Sequence, residues 1–132
     1  MAQAKKVKEI SFTMPNRTGL LSEVTSALAG TKANITAICA YEMEDSGYFM
    51  LTTDSHAKAK RALARLGVGI EETDVVAVEM PNKPGELQKV AKRIADAGIN
   101  IEYMYATAGA GKTAICVFKT GDDKKTIKII NR

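Results

Sequence analysis

One feature narrows the possible folds of this 132-residue chain more than any other. Displaced by 66 residues, the sequence lies over itself. Met14-Pro15-Asn16-Arg17-Thr18-Gly19-Leu20-Leu21 meets Met80-Pro81-Asn82-Lys83-Pro84-Gly85-Glu86-Leu87. The same displacement pairs Val24 with Val90, Ala29 with Ala95, Asn34-Ile35 with Asn100-Ile101 and Ala40 with Ala106. Shared secondary structure alone would match apolar periodicity, but it would not place the same polar residues at the same positions. The pattern therefore indicates duplication of one small structural unit.

Each copy carries the same series of periodicities. Ile10, Phe12 and Met14 alternate with Glu9, Ser11 and Thr13, and Val76, Val78 and Met80 repeat this half-buried strand pattern. A Pro-Asn turn follows, and the spacing then becomes helical: Leu20, Leu21, Val24, Ala27 and Leu28, against Leu87, Val90, Ala91 and Ile94. Pro84 suits a first helical turn, where no amide is required. Second strands open at Asn34-Ile35 and Asn100-Ile101. Hairpins turn at Glu44–Gly47 and Gly109–Lys112 and return along Tyr48–Thr53 and Ala114–Lys119, with no slip of register expected between copies.

Beyond the hairpin, copy one continues with a helix stripe of Ala59, Ala62, Leu63 and Leu66 and a short strand near Val68–Glu72. That completes βαββαβ. Copy two has only Asp122–Arg132 left, enough for a helix or a strand, so it is truncated at its C-terminal end. The order implies an α+β, ferredoxin-like sandwich: an antiparallel sheet with both helices on one face, in two tandem copies. The expected domains are residues 1–73 and 74–132. Units this small are marginal alone and should lean on one another, and a partner chain could supply the missing element of the second.

Composition excludes several function classes. At 45% hydrophobic and 26% charged residues the chain is not of disordered type. No apolar run reaches the roughly 18 residues of a membrane span, and the basic start lacks the apolar stretch of a signal peptide. Cys39 and Cys116 sit singly in apolar stretches, which fits small buried side chains in a reducing cytoplasm rather than a disulfide framework. The net charge of +4 is spread over solvated helix faces and the tail, and the strand residues Ile10, Phe12, Phe49, Leu51, Val76, Val78, Ile115 and Val117 offer few rings for stacking bases. Neither a nucleic-acid nor a membrane partner is expected.

The duplicated polar residues are the candidate site. Asn16 and Asn82 stand where a strand hands over to a helix, and Gly19 and Gly85 lie in the helix's first turn, where a ligand carboxylate can approach backbone amides. Asn34 and Asn100 open a strand at the sheet edge, which is free to pair with another unit. If two units meet along these edges, the helix start of one and the strand start of the other form a crevice lined by amide groups suited to a free amino acid. The residues alone equally allow Asn16 and Asn82 to shape turns, and Asn34 and Asn100 to end helices.

Strand, Asn-(Arg/Lys)-(Thr/Pro)-Gly-x-Leu at a helix head, then Asn-Ile opening the next strand: this pattern resembles the ACT domain, the regulatory module of many amino-acid-metabolic enzymes. The resemblance covers residues 8–73 fully and 75 to about 120 in part. It implies units paired side by side through the first helix and second strand, with a small effector, commonly an amino acid, bound at that interface. The matching positions are Asn16, Gly19, Leu20, Asn34 and Ile35 in copy one and Asn82, Gly85, Glu86, Asn100 and Ile101 in copy two. Thr18 departs from the usual proline. Glu86 puts a carboxylate at a helix start, where it would repel an anionic group or receive an ammonium. The resemblance implies a regulator of a separate metabolic enzyme, or a protein-interaction module without a ligand; the short C-terminal end, which a partner chain could complete, makes a homodimer the expectation, and no cofactor, no metal and no catalysis of its own are expected.

Other signals are weaker. Gly109-Ala110-Gly111-Lys112-Thr113 resembles the end of a phosphate-binding loop, but a strand rather than a helix follows it. His56, the single histidine, stands at a helix start and reads as solvated or capping. An acylphosphatase-like enzyme would use an Arg in the first loop with a nearby Asn, and Arg17 and Asn34 supply those residue types.

Overall fold

The computed structural model describes residues 2–132 and divides them into two compact units, Lys8–Thr73 and a second made of the residues up to Val7 together with Asp74–Arg132. The element order is β1 (Gln3–Pro15), α1 (Leu20–Gly30), β2 (Ile35–Met43), β3 (Ser46–Thr53), α2 (His56–Ala64), β4 (Glu71–Pro81), α3 (Glu86–Asp96), β5 (Ile101–Thr107), β6 (Thr113–Thr120) and α4 (Asp123–Ile130).

In the Lys8–Thr73 unit the strands run β2-β3-β1, with the first residues of β4 beside β1. β1 and β2 both pair antiparallel with β3. Ile10, Phe12 and Met14 oppose Leu51, Phe49 and Gly47, so the apolar alternation lies on one sheet face. Leu20, Val24 and Leu28 of α1 and Ala59, Ala62 and Leu63 of α2 close over that face, and Phe12 and Phe49 stack with ring centroids 4.9 Å apart. Both helices therefore share one side, as the ferredoxin-like order requires. The β2–β3 turn has only Glu44 and Asp45 between strands, both at positive φ, the type I′ geometry that matches strand twist.

The second unit repeats the plan with β4, β6 and β5, and with α3 and α4. Its C-terminal residues form helix α4, capped by Asp122, whose carboxylate accepts from the Lys125 amide at 3.0 Å. The missing fourth strand comes from this same chain, not from a partner: Gln3–Val7, the leading part of β1, lies beside β4. Ala4 is buried in the second core with Val76, Val78, Phe118 and Ile130. Its amide donates to Asn131 Oδ1 (2.6 Å) and its carbonyl accepts from Asn131 Nδ2 (2.8 Å). The first residues thus cluster with 74–132 rather than with 8–73. The short strand expected near Val68–Glu72 begins at Glu71 and is continuous with the strand that opens copy two, so β4 serves both units.

The copies slip by one residue after their second strands. Ala40 pairs with Phe49, but its counterpart Ala106 pairs with Cys116, one position beyond the 66-residue displacement. A five-residue connection, 108–112, replaces the two-residue turn. Ala114, Cys116 and Phe118 therefore face the helices, while Ile115 is 38% exposed and Val117 points to the other sheet face. Burial pushes the Cys116 thiol up to about 11, so it stays protonated.

One difference between the copies predicts a stability change. Gly98 ends α3 at φ 71°, and its counterpart Lys32 is held at φ 62° after α1. A side chain in the left-handed region costs about 1 kcal/mol that glycine does not. Lys32→Gly should raise unfolding stability by about 1 kcal/mol in urea titration, and a loss of stability would show that the Lys32 side chain offsets this strain.

Candidate functional site

The path from first strand to first helix is built alike in both copies. The Leu20 amide donates to the Arg17 carbonyl (3.2 Å) and Glu86 to Lys83 (3.3 Å), with Gly19 at φ 89°, ψ 0° and Gly85 at φ 85°, ψ −6°. These are type II turns, in which the third residue needs positive φ and proline suits the second. Pro84 therefore occupies the turn before α3, not its first helical turn, and Thr18 fills that position in copy one. Gly19 and Gly85 precede their helices as N-caps and offer no capping side chain to the amides that follow Leu20 and Glu86.

Asn16 and Asn82 anchor these turns to the hairpins. Their amides donate to Asp45 and Lys112 carbonyls, each at 2.8 Å. Asn16 Nδ2 donates to Glu42 Oε2 (2.5 Å), and Asn82 Nδ2 to the Gly109 (2.7 Å) and Gly111 (3.0 Å) carbonyls. Beside each helix start lies a cleft, of about 340 Å³ in copy one and about 260 Å³ in copy two. Much of the lining corresponds: Asn16, Arg17, Leu20 and Leu21 against Asn82, Lys83, Glu86 and Leu87 on the helix side, with Gly19 lining the first cleft only. On the strand side Ala40, Tyr41, Gly47 and Phe49 stand where Ala106, Thr107, Ala114 and Cys116 stand.

Several lining residues escaped the sequence reading. Leu21 and Leu87, assigned above to the core stripes, are 54% and 43% exposed. They lie one position off the buried rows Leu20-Val24-Leu28 and Val90-Ile94, toward the edge strand. Their identity across the repeat, like that of Ala40 and Ala106, was the available signal. Leu20 is buried, and the bare Gly47 makes room for it: a Cβ there would come within 2.8 Å of Leu20 Cδ2. In copy two the carboxylate of Glu86 turns instead to Lys89 (2.8 Å), and chiefly that bond, with Lys83 nearby, holds it below the usual carboxylate range.

Asn34 and Asn100 lie elsewhere in each unit. β2 leads away from Asn34 and reaches the cleft only at Ala40 and Tyr41, so Asn34-Ile35 and Asn16-Gly19 stand at opposite ends of one unit. The same holds for Asn100-Ile101. Backbone bonds fix these strand starts: the Asp54 and Gly121 amides donate to the Asn34 and Asn100 carbonyls at 3.0 and 2.9 Å. Both strands shift register immediately afterwards, between Ile35 and Ala37 and between Ile101 and Tyr103. This repeated bulge turns Ile35 and Ile101 onto their cores and Ala37, Cys39, Tyr103 and Tyr105 to the other face. β2 and β5 are the outermost strands of their units.

The signals judged weak have local explanations. Arg17 pairs with Glu23, far along the strand from Asn34, so the two do not form an anion cradle. His56 Nε2 contacts Glu72 Oε1 (2.5 Å) instead of capping its helix; this bond, then Lys60, lowers the Glu72 pKa. Residues 109–112 form the β5–β6 loop and lead into a strand. Among the described residues no group of His, Cys, Asp and Glu could hold a metal ion, and no helix is long and apolar enough to cross a membrane.

Residues 5–132 match the sequence profile of the ACT domain pair. The chain belongs to that family. Among solved structures it is similar to protein BT0572 from Bacteroides thetaiotaomicron, with 34% identity, a TM-score of 0.85, and coverage of 96% of this chain and 87% of that one. The ligand-free regulatory subunit of aspartate kinase from Thermus thermophilus shares the fold at 16% identity and TM-score 0.66, over 98% of this chain and 93% of that one. Aspartate kinase from Synechocystis does so at 19% identity and TM-score 0.72, over 98% of this ACT pair and 25% of the kinase. No curated protein sequence matches.

Proposed function

We propose that this ACT pair is a non-catalytic regulatory protein that binds a free amino acid between units of two chains. The observation that carries the reading is the duplicated cleft beside an uncapped helix start, next to the outermost strand of each unit. Strands that pair antiparallel along such edges bring the start of one against the end of the other. Asn34 of one chain then faces the Asn16–Leu20 turn of its partner, completing the crevice that a single unit leaves open. Leu21, Ile38, Tyr41 and Met43 are exposed apolar residues along this margin, suited to burial in a homodimer. The helix amides suit the ligand carboxylate and the asparagine carbonyls its ammonium.

The copy-one cleft is the better carboxylate site, because Glu86 opposes an anion in copy two. The fold neighbours include a regulatory subunit of aspartate kinase and aspartokinase III from E. coli in complex with lysine and aspartate. By analogy the output is control of a separate metabolic enzyme, in the cytoplasm. Calorimetric titration with each of the twenty amino acids should give saturable heat with one or a few. No heat with any of them would favour the second reading, an interaction module whose clefts receive no small molecule.

A further inference from the structure

The second unit contains a further cleft beside α3. In copy one, α2 is joined to β4 by residues 65–70, and Leu66, Val68 and Ile70 pack on the core along that path. In copy two the corresponding strand is Gln3–Val7, preceded by Ala2, and the last helix ends at Ile130. The cleft, of about 340 Å³, is lined by Ala2 and Ile130 and by Lys83, Glu86, Lys89 and Arg93. Lys83, Lys89 and Arg93 have Arg17, Glu23 and Ala27 as their repeat counterparts, so the cations at 89 and 93 are specific to this copy.

We infer that this cleft binds a small dianionic phosphate, either the free ion or a phosphate monoester, at one site per chain, sharing Lys83 and Glu86 with the copy-two cleft at the helix start. Three cations against one carboxylate leave a net charge of two to be neutralised. Lys89 can turn: its side chain is 69% exposed and is held by Glu86. Arg93 is exposed but held in place: its Nη1 donates to the Ile129 (3.3 Å) and Ile130 (3.0 Å) carbonyls and leaves its remaining donors for an oxyanion. The volume admits a phosphate with a few carbons attached.

The experiment is a 31P NMR titration of the full chain with inorganic phosphate and, separately, glycerol 3-phosphate, at constant ionic strength. Saturable binding is expected, weakened about fivefold or more by Lys83→Gln and by Lys89→Gln, tightened by Glu86→Gln, and unchanged by Lys92→Gln. Lys92 lies on the same helix but pairs with Asp96 outside the cleft. Tighter binding of the free ion or of the ester names the source. Absence of saturation with both probes would overturn the inference, as would equal weakening by Lys92→Gln or weaker binding in Glu86→Gln.

Discussion

Ala4→Asp should destabilise the unit that contains Asp74–Arg132 by about 3–5 kcal/mol, because it places an unpaired carboxylate in an apolar core. Ala4 is 8% exposed among Val76, Val78, Phe118 and Ile130, and both its backbone groups are held by Asn131. Deleting residues 2–7 should act more severely, since it removes the fourth strand outright. Hydrogen exchange would then show lost amide protection in Asp74–Arg132, with Lys8–Thr73 still protected. Lys5→Gln, at an exposed neighbouring position, should change stability by less than about 0.5 kcal/mol. Unaltered protection in the deletion would mean that the leading strand is dispensable and that a partner chain can supply the element after all.

The second large effect concerns the edge. In the proposed dimer, Ile38→Lys should turn a particle of twice 14.2 kDa into one of 14.2 kDa in light scattering at micromolar concentration. Ile38 is 38% exposed on β2 and makes a modest contribution to its own unit, so the fold should survive. Two-fold pairing brings two lysines into one interface, and desolvating both should weaken association about a hundredfold or more. Edge lysines block strand pairing in natural sheets for the same reason. An unchanged dimer would place the contact elsewhere, and a wild-type monomer would remove the interface from the account.

How much was legible in the sequence depended on the kind of signal each element carries. Long strands with one buried face announced themselves, as Ile10-Phe12-Met14 and Val76-Val78-Met80 did. The leading strand did not. It buries one small residue, Ala4, between Gln3 and two exposed lysines, and so leaves no alternation to read. The extra residue in the second hairpin was equally hidden, because Ile115 and Val117 continue the gapless repeat with apolar residues while Cys116 and Phe118 take the inward positions. Period 2 makes a one-residue slip exchange faces completely.

The candidate site was legible where backbone geometry demanded a residue type. Gly19 and Gly85 stood out because a type II turn needs positive φ, and Asn16 and Asn82 because they tie that turn to a hairpin. Leu21 and Leu87 were misassigned because helical spacing alone does not say which flank of an apolar stripe meets the core and which meets a cleft. The bulges after Asn34 and Asn100 have no sequence mark at all, since they arise from pairing with strands far along the chain.

Thermal unfolding of the wild type and of Asn34→Ala, each with the twenty amino acids in turn at millimolar concentration, tests the proposed function most directly. A ligand present at about 100 times its dissociation constant adds about 2.7 kcal/mol to a fold that it binds exclusively. The account predicts a midpoint raised by several degrees with one or a few amino acids in the wild type, and little or no rise in Asn34→Ala, which folds with the same midpoint when no ligand is present. An equal rise in both proteins would contradict the placement of the effector between Asn34 of one chain and the helix start of its partner.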